Sequence, residues 1–581
     1  LIVGGDIDLE GSIDVNGTTN LDAVDIDGAV QIDATLSVGV NDTGYDVKFF
    51  GATASRHMTW DESADSLIIS GDLDVNDGTI KLDGNYPTGT GNVALGNTAL
   101  DDGSLSGAYN TAIGNLALTA NTSGAANTAM GANVMASNTT GGSNSAFGRN
   151  ALGTNTTGSN NTAVGYNSLV LGTSGGNNTA VGWSALQANT TADGNTAVGY
   201  NSLGANTTGA ENVAVGSGAL DANTTATRNV AVGNSALGAV ITGSNNTALG
   251  DRSLIVNTGG YNTAVGSDSL YSNTTASSNT AVGFKSLTAN TTGTFNVAVG
   301  QQALLGATTA SSNTALGYQS QYTTTTGASN TSVGRGALFS NTTGSTNVSI
   351  GYHSLLVNTT GASNVAVGVN ALDANTTGDF NIAVGLDALG ANTTADYNTA
   401  TGYHSLKLNT TGSENAGFGS FSLQANTTGD NNTAVGYQAL DGNTTGSNSV
   451  AIGRDALVAN TTSSGNTAVG YQAGYSQTTA SGGSSSFFGY QAGYSLTGLF
   501  CTFVGGQAGY SATSGQSNTF VGHAAGTAIT TGSKNTIIGR YNGNQGGLDI
   551  READNNIVLS DGDGNPRAFY KADTGDAAWN F

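Results

Sequence analysis

The residue types that most often carry chemistry are few in this chain, and they lie far apart. Its four histidines are His57, His353, His404 and His523, and none has the spacing of a zinc ligand. Glycine-rich segments abound, but none continues into the Gly-Lys-Ser or Gly-Lys-Thr of a phosphate-binding loop. Serine, histidine and aspartate are too scattered to indicate a catalytic triad. The sequence therefore predicts no catalytic residue, no metal site and no cofactor, and a protein that is not an enzyme.

Aspartates come nearest to a metal site. The segment Asp561-Gly562-Asp563-Gly564-Asn565 opens like a calcium loop, but Ala572 stands where that loop needs its glutamate, so a plain turn is the other interpretation. Residues 1–90 hold nearly half of the acidic residues, in alternating patterns such as Ile7-Asp8-Leu9-Glu10. These rows favour either calcium binding or an exposed strand face on which charge blocks edge pairing.

The tripeptide Asn-Thr-Thr recurs along the chain and fits the acceptor pattern for N-glycosylation. Asparagine, threonine and the glycine that often follows also suit an exposed turn, which needs no sugar. The sequence thus leaves glycosylation and turn chemistry open as two interpretations. The candidate glycan acceptors include Asn155, Asn189, Asn206, Asn223 and Asn375.

A longer motif, Asn-Thr-Ala-Val-Gly, organises most of the chain. It recurs every 17 residues, with starts at Asn161, Asn178, Asn195, Asn212, Asn229 and Asn246. About 27 copies keep this register from residue 92 to residue 539, with slips of one or two residues. A fixed short period is typical of a solenoid rather than of a globule. Short β-branched and glycine-rich segments argue against helices.

One repeat, residues 195–211, predicts two short strands and two turns, which is one rung of a parallel β-roll. The chain is therefore predicted to be all-β, a parallel β-solenoid of 17-residue rungs flanked by small β modules. At about 4.8 Å per rung the rod would be roughly 130 Å long. The asparagines that open each repeat would lie above one another and form a hydrogen-bonded ladder.

Side-chain patterns predict which positions face inward. The valine slot, filled by Val198, Leu249 or Ile350, and the leucine slot of Leu203 are expected in the core. The position after the glycine varies widely, as exposed positions do. Its frequent aromatics predict either a ligand-binding stripe or stacking between rungs. Both residues of Ala197-Val198 are apolar although they point to opposite faces, so the outer face is expected to pack on a second copy.

Composition limits the possible partners. The net charge of -24 argues against nucleic-acid binding, and no apolar run reaches the roughly 18–20 residues that span a bilayer. We expect three parts: an acidic N-terminal β module (1–90), the repeat solenoid (91–540), and a C-terminal cap or tip (541–581). In the last part, exposed aromatics could contact a cell-surface glycan or protein receptor. The candidate contacts are Tyr541, Phe569, Tyr570 and Trp579.

Two resemblances add to these expectations. The segment Ser449-Val450-Ala451-Ile452-Gly453 resembles the head repeat of trimeric autotransporter adhesins, which implies a homotrimer of β-rolls on a bacterial surface. The rung here is longer than that family's usual rung because of its Asn-Thr-Thr-Gly turn. Segments 44–51, 60–65 and 555–567 resemble parts of tail-fibre and other structural proteins of marine bacteriophages.

The resemblances imply an extracellular fibre, either a phage tail fibre on the virion surface or an adhesin on the bacterial cell surface. The alternative is a free extracellular filament or sheath, in which copies of the chain join end to end.

Overall fold

The computed structural model describes residues 47–50, 57–61, 66–70, 90–478, 483–572 and 576–579. The chain divides into two compact units, Leu1–Asp83 and Gly84–Phe581. In the first unit, strands β1 (Val47–Phe50), β2 (His57–Asp61) and β3 (Ser66–Ser70) form an antiparallel sheet in chain order. The aspartate rows of residues 1–46 and 71–83, and with them the calcium prediction, lie outside the described residues.

The second unit is a ladder of short strands, each three residues long up to β30. They are β4 Val93–Leu95, β5 Thr111–Ile113, β6 Thr128–Met130, β7 Ser145–Phe147, β8 Thr162–Val164, β9 Thr179–Val181, β10 Thr196–Val198, β11 Val213–Val215, β12 Val230–Val232, β13 Thr247–Leu249, β14 Thr263–Val265, β15 Thr280–Val282, β16 Val297–Val299, β17 Thr314–Leu316, β18 Thr331–Val333, β19 Val348–Ile350, β20 Val365–Val367, β21 Ile382–Val384, β22 Thr399–Thr401, β23 Ala416–Phe418, β24 Thr433–Val435, β25 Val450–Ile452, β26 Thr467–Val469, β27 Ser486–Phe488, β28 Thr502–Val504, β29 Thr519–Val521 and β30 Thr536–Ile538.

Each strand of this ladder pairs in parallel with the strand of the next repeat. Thr196 faces Val213, and Ala197 faces Ala214, in a register that follows the 17-residue period. The 27 strands from β4 to β30 make the predicted all-β parallel solenoid, and no helix occurs in the described residues. The prediction of the fold is confirmed in its period and in its number of rungs.

The predicted internal layout of a rung is partly wrong, because each rung has one strand rather than two. The segment Tyr200–Leu203 is a turn in which Asn201 and Leu203 have φ of 52° and 50°. The strand ends at Gly199, whose φ is 135°. A Cβ at Gly199 would lie 2.5 Å from the carbonyl oxygen of Gly216 in the next rung, so only glycine fits this bend. The stacked glycines let neighbouring rungs approach closely.

The core of the rod is built from the alanine and leucine columns. Ala197 and Leu203 are fully buried, as are their equivalents in nearly every rung. The prediction that the valine slot lies in the core is wrong: Leu249 is 46% and Ile350 is 39% exposed. Successive strand residues point to opposite faces, and the small alanine takes the inward place because the leucine of the turn fills the interior.

The last rungs fill the same interior with a different pair of residues. Phenylalanine replaces the alanine, and glycine replaces the leucine that has positive φ elsewhere. The rings of Phe503 and Phe520 stack inside the rod with centroids 4.7 Å apart. A Cβ added to Gly526 would lie 2.6 Å from Cδ2 of Phe520, so the ring occupies the space that leucine fills in other rungs.

A β-meander closes the C-terminal end of the rod. Strand β33 (Ile557–Ser560) adds in parallel to β30, and β34 (Pro566–Lys571) and β35 (Asp576–Trp579) follow antiparallel. A small hairpin of β31 (Asn544–Gln545) and β32 (Leu548–Asp549) precedes them. The meander pairs the last parallel strand edge, as a solenoid end requires.

Candidate functional surfaces of the rod

The asparagine that opens each repeat lies in a buried ladder inside the rod. The backbone N–H of Asn195 donates to Oδ1 of Asn178 at 2.9 Å, and Asn195 Nδ2 donates to the carbonyl of Gly209 at 2.9 Å. Each side chain thus satisfies a backbone donor of the next rung and a backbone acceptor of the following turn. The same contacts recur at Asn161, Asn178, Asn212, Asn229 and Asn246.

A second asparagine ladder runs through the Asn-Thr-Thr turns. Asn206 Nδ2 donates to Oδ1 of Asn189 at 2.8 Å and to the carbonyl of Gly209 at 2.9 Å. The prediction that these asparagines are exposed is wrong: Asn155, Asn189, Asn206, Asn223 and Asn375 are all fully buried. Their amide nitrogens, which would carry a glycan, are enclosed and hydrogen-bonded in the folded rod. The turn chemistry, without a sugar, accounts for their repetition.

Between Asn121 and Asn460, three gaps interrupt this second ladder. Gly172 and Val240 each replace one asparagine, and Ala307 and Thr324 replace two in succession. In the rung before each gap, one buried carbonyl oxygen is left without a donor among the described residues, namely Oδ1 of Asn155, Asn223 and Asn290. A buried acceptor without a partner costs stability. The gaps are therefore local weak points in an otherwise satisfied interior.

The outward face of the strands forms an apolar stripe along the rod. The first and third residues of each strand point outward and flank the buried second residue. Exposed third positions on consecutive rungs include Phe418, Val435 and Ile452. The stripe widens at β21, where Phe380, Ile382, Val384 and Leu386 are all exposed. Soluble monomers rarely expose so continuous an apolar surface, which makes this face a candidate interface.

The position after the strand glycine forms a column of exposed side chains, as predicted. Trp183 lies between Tyr166 and Tyr200, with ring centroids 6.3 and 4.8 Å away, and both pairs are stacked. Of the two roles predicted for these aromatics, stacking between rungs is confirmed. The ligand-binding stripe stays a prediction. A second column, Tyr475, Tyr494 and Tyr510, stacks at 4.9 and 5.0 Å.

Sequence reasoning missed a charged cluster at β21 and β22. Lys407 Nζ and His404 Nε2 lie 2.9 and 3.2 Å from Asp387 Oδ2. Burial alone would raise the pKa of Asp387, but hydrogen bonds from Lys407 and Asn370 outweigh it and hold the pKa below its usual range. Burial, and then the charge of Asp387, raises the pKa of Asp373. Asp387 and His404 are 17 residues apart, so the repeat period could have revealed their contact.

A second mixed cluster lies at β13 to β15. Arg252 Nη2 lies 2.9 Å from Asp268 Oδ1, and the Arg252 guanidinium lies 5.6 Å from the centre of the Tyr271 ring. With Lys285, these side chains line a shallow cleft. In each cluster the opposite charges pair with one another, as in a structural ion pair.

The C-terminal aromatics do not form one exposed group. Tyr541 is fully buried, and its hydroxyl donates to the carbonyl of Leu548 at 2.6 Å, so the prediction that it is an exposed contact is wrong. Phe569 is partly buried and packs on the core. Tyr570 is exposed, and the side chain of Trp579 lies outside the described residues. Within 541–581, Tyr541 and Phe569 therefore contribute to the cap.

Comparison with known proteins adds no relative. No family model, curated protein or solved structure matches this chain. The described residues include no helix long and apolar enough to cross a membrane. The fold and its surfaces therefore define the class of the protein as a β-solenoid rod of tandem repeats.

Proposed function

We propose that this chain is the shaft of an extracellular fibre in which three copies pack side by side along the apolar strand face. The observation that carries the proposal is the row of apolar residues at the outward third position of the strands from β4 to β30, which is interrupted once, by Thr401 of β22. Packing these rows against one another would remove them from water at roughly 25 cal/mol per Å² of apolar surface. The role needs stiffness and length rather than catalysis, and we propose that the chain is not an enzyme.

Stiffness follows from the interior of the rod. Every rung is joined to its neighbours by strand pairing, and two asparagine ladders add side-chain hydrogen bonds at a fixed spacing. Such a ladder opposes bending because each rung has little freedom to move relative to the next. These features support a spacer that holds something at a distance from a surface.

The number of copies and the location rest on the resemblances. Val450 and Ile452, which match the adhesin head repeat, belong to the apolar stripe, and Ala451 between them is buried. A triple rod buries the stripe of each copy at a common axis. We accordingly propose a fibre on a virion or a bacterial cell surface, where its exposed sides and end are free for adhesion.

The test is to place charge on the apolar stripe. We choose the triple variant Phe418→Lys, Val435→Lys and Ile452→Lys, which puts a cation on three consecutive rungs. The control triple, Thr411→Lys, Thr428→Lys and Thr445→Lys, adds the same charge to exposed turns of neighbouring rungs. Sedimentation velocity at micromolar concentration should show trimers for wild type and control, and monomers for the stripe variant. A wild-type monomer, or a trimeric stripe variant, would contradict the proposal.

A second candidate is a free filament formed by end-to-end joining. In the described part of the chain, β4 pairs only with β5, and β35, the outer strand of the C-terminal meander, pairs only with β34. Among the described residues, these two strands therefore each have one edge without a partner strand. Open edges can pair with another chain. Electron microscopy of the stripe variant separates the candidates, since only end-to-end joining would still give long filaments.

A further inference from the structure

One arginine lies between two exposed tyrosines in the column that follows the strand glycines. The Arg335 guanidinium lies 5.8 Å from the ring centre of Tyr318 and 5.7 Å from that of Tyr352. Both tyrosines are exposed, at 41% and 42%. The three residues occupy the same position in three consecutive rungs. We call this group the Tyr318–Arg335–Tyr352 cradle.

Arg335 forms no ion pair with a carboxylate of the described residues. The chain carries no aspartate or glutamate between Asp268 and Asp373, although its net charge is -24. None of the ion pairs formed between described residues includes Arg335. The Cζ atom of Arg335 lies over both tyrosine rings, and the Arg335 side chain is exposed. The cradle therefore presents an uncompensated planar donor at the surface.

The chain contains a matched arginine with the opposite property. Arg454 also lies between two tyrosines of the same column, 5.6 Å from the centre of Tyr437 and 6.0 Å from that of Tyr471. Its Nε, however, lies 3.4 Å from the carboxylate of Asp455. Stacking alone thus does not distinguish the two arginines. The two arginines differ in their ion pairs: Arg454 pairs with Asp455, whereas none of the ion pairs between described residues includes Arg335. The Arg335 guanidinium is therefore available to an external anion.

We infer that the Tyr318–Arg335–Tyr352 cradle binds carboxylate groups of an acidic saccharide. A guanidinium fork matches a carboxylate with two parallel hydrogen bonds. The phenol hydroxyls on either side can exchange hydrogen bonds with sugar hydroxyls, and tyrosine suits such half-wet contacts. The strong negative charge of the whole chain disfavours the densely charged nucleic acids.

The charge of the cradle also favours a carboxylate over a more highly charged group. His353 stacks on Tyr352 with ring centres 3.7 Å apart. Burial, and then the positive charge of Arg335, lowers the pKa of His353 below its ordinary value of 6.5, which favours the neutral imidazole at pH 7. The site then presents one positive charge, which one carboxylate per sugar neutralises.

The experiment measures binding of the full chain to polygalacturonate by isothermal titration calorimetry at pH 7 and low salt, with dextran as the neutral saccharide. Wild type should bind polygalacturonate and not dextran. Arg335→Gln should weaken binding at least tenfold, and Arg454→Gln should change it less than twofold. Raising the salt concentration should weaken wild-type binding, since an exposed charge pair is screened. Circular dichroism and sedimentation of each variant check that the rod and its assembly are unchanged.

Several outcomes would overturn the inference: no binding by wild type, equal binding of dextran, or equal loss in the two arginine variants. Tighter binding of poly-glutamate than of polygalacturonate would indicate an acidic peptide as the partner instead. The inference goes beyond the shaft role, because loss of saccharide binding would leave trimer formation intact, and loss of trimers would leave the cradle of each chain intact.

Discussion

The backbone N–H of Asn195 donates to the side-chain Oδ1 of Asn178, one rung earlier, at 2.9 Å. Asn195 Oδ1 in turn accepts the N–H of Asn212 at 2.9 Å. The amide side chain thus takes a place in the backbone hydrogen-bond pattern where the chain turns into each strand. This relationship explains why asparagine, rather than another polar residue, opens almost every repeat.

Replacing Asn195 by leucine should open the rod locally. The change leaves the buried N–H of Asn212 without its acceptor, at about 1–3 kcal/mol. The carbonyl of Gly209 loses one of its two side-chain donors and keeps the other, Asn206 Nδ2. Native-state hydrogen exchange at residues 196–215 should accelerate at least tenfold. Thr208→Leu, at an exposed turn position in the same rung, is the control and should leave these rates nearly unchanged. Equal protection in Asn195→Leu and wild type would show that the ladder is not stabilising.

Filling a gap in the second ladder should stabilise the rod. In Ala307→Asn, the new Nδ2 can donate to the orphaned Oδ1 of Asn290. Satisfying a buried acceptor is worth about 1–3 kcal/mol, so exchange near residue 307 should slow. Ala307→Leu is the matched control, because the leucine side chain has nearly the same shape as asparagine and carries no hydrogen-bond donor. The explanation of the gaps fails if both variants behave alike.

Replacing the phenylalanine–glycine pair of a late rung by the alanine–leucine pair of the other rungs should show that Phe520 and Gly526 are coupled in their effect on the free energy of unfolding. Phe520→Ala alone leaves a cavity that costs about 3–5 kcal/mol. Gly526→Leu alone places a side chain against the Phe520 ring. The double variant recreates the alanine and leucine pair of the other rungs, and it should lose less stability than the sum of the single variants. Chemical denaturation followed by local hydrogen exchange gives the double-mutant cycle, and simple additivity would contradict the prediction.

Cys501 should serve as a reporter of the late rungs. Burial raises the pKa of this thiol from 9.0 to about 11. At pH 8 the folded rod should therefore react with iodoacetamide far more slowly than a free cysteine peptide, and denaturant should restore the rate. The raised pKa also means that unfolding free energy falls as pH rises from about 9 to about 11. Rapid labelling of the native chain would contradict the burial.

The period of the repeat was enough to predict the solenoid, because a 17-residue register over 27 copies leaves few other folds. It was not enough to predict which apolar column faces inward. Val198 and Ala197 are both apolar, so either could face the core. Leu203, in the turn after the strand, fills the interior, and only the small side chain of Ala197 fits beside it. That choice depends on a positive φ at a leucine, which local propensity disfavours and only the packed interior stabilises.

The functional residues were harder to predict for a related reason. Asn206 lies in a turn, and turn residues are usually exposed, yet stacking of the rungs buries its side chain. The contact of Asp387 with His404 and the cradle around Arg335 appear only when equivalent positions of successive rungs are aligned. Aligning the 17-residue repeats and comparing equivalent positions would have indicated both the Asp387–His404 contact and the cradle around Arg335.

The central claim is a rod of parallel rungs that assembles in threes along its apolar stripe. Cryo-electron microscopy of the purified chain at micromolar concentration tests it most directly. We expect rods whose repeat region is about 130 Å long, with rungs about 4.8 Å apart and three chains in cross-section. Single-chain rods would contradict the assembly, and particles without the 4.8 Å axial repeat would contradict the fold itself.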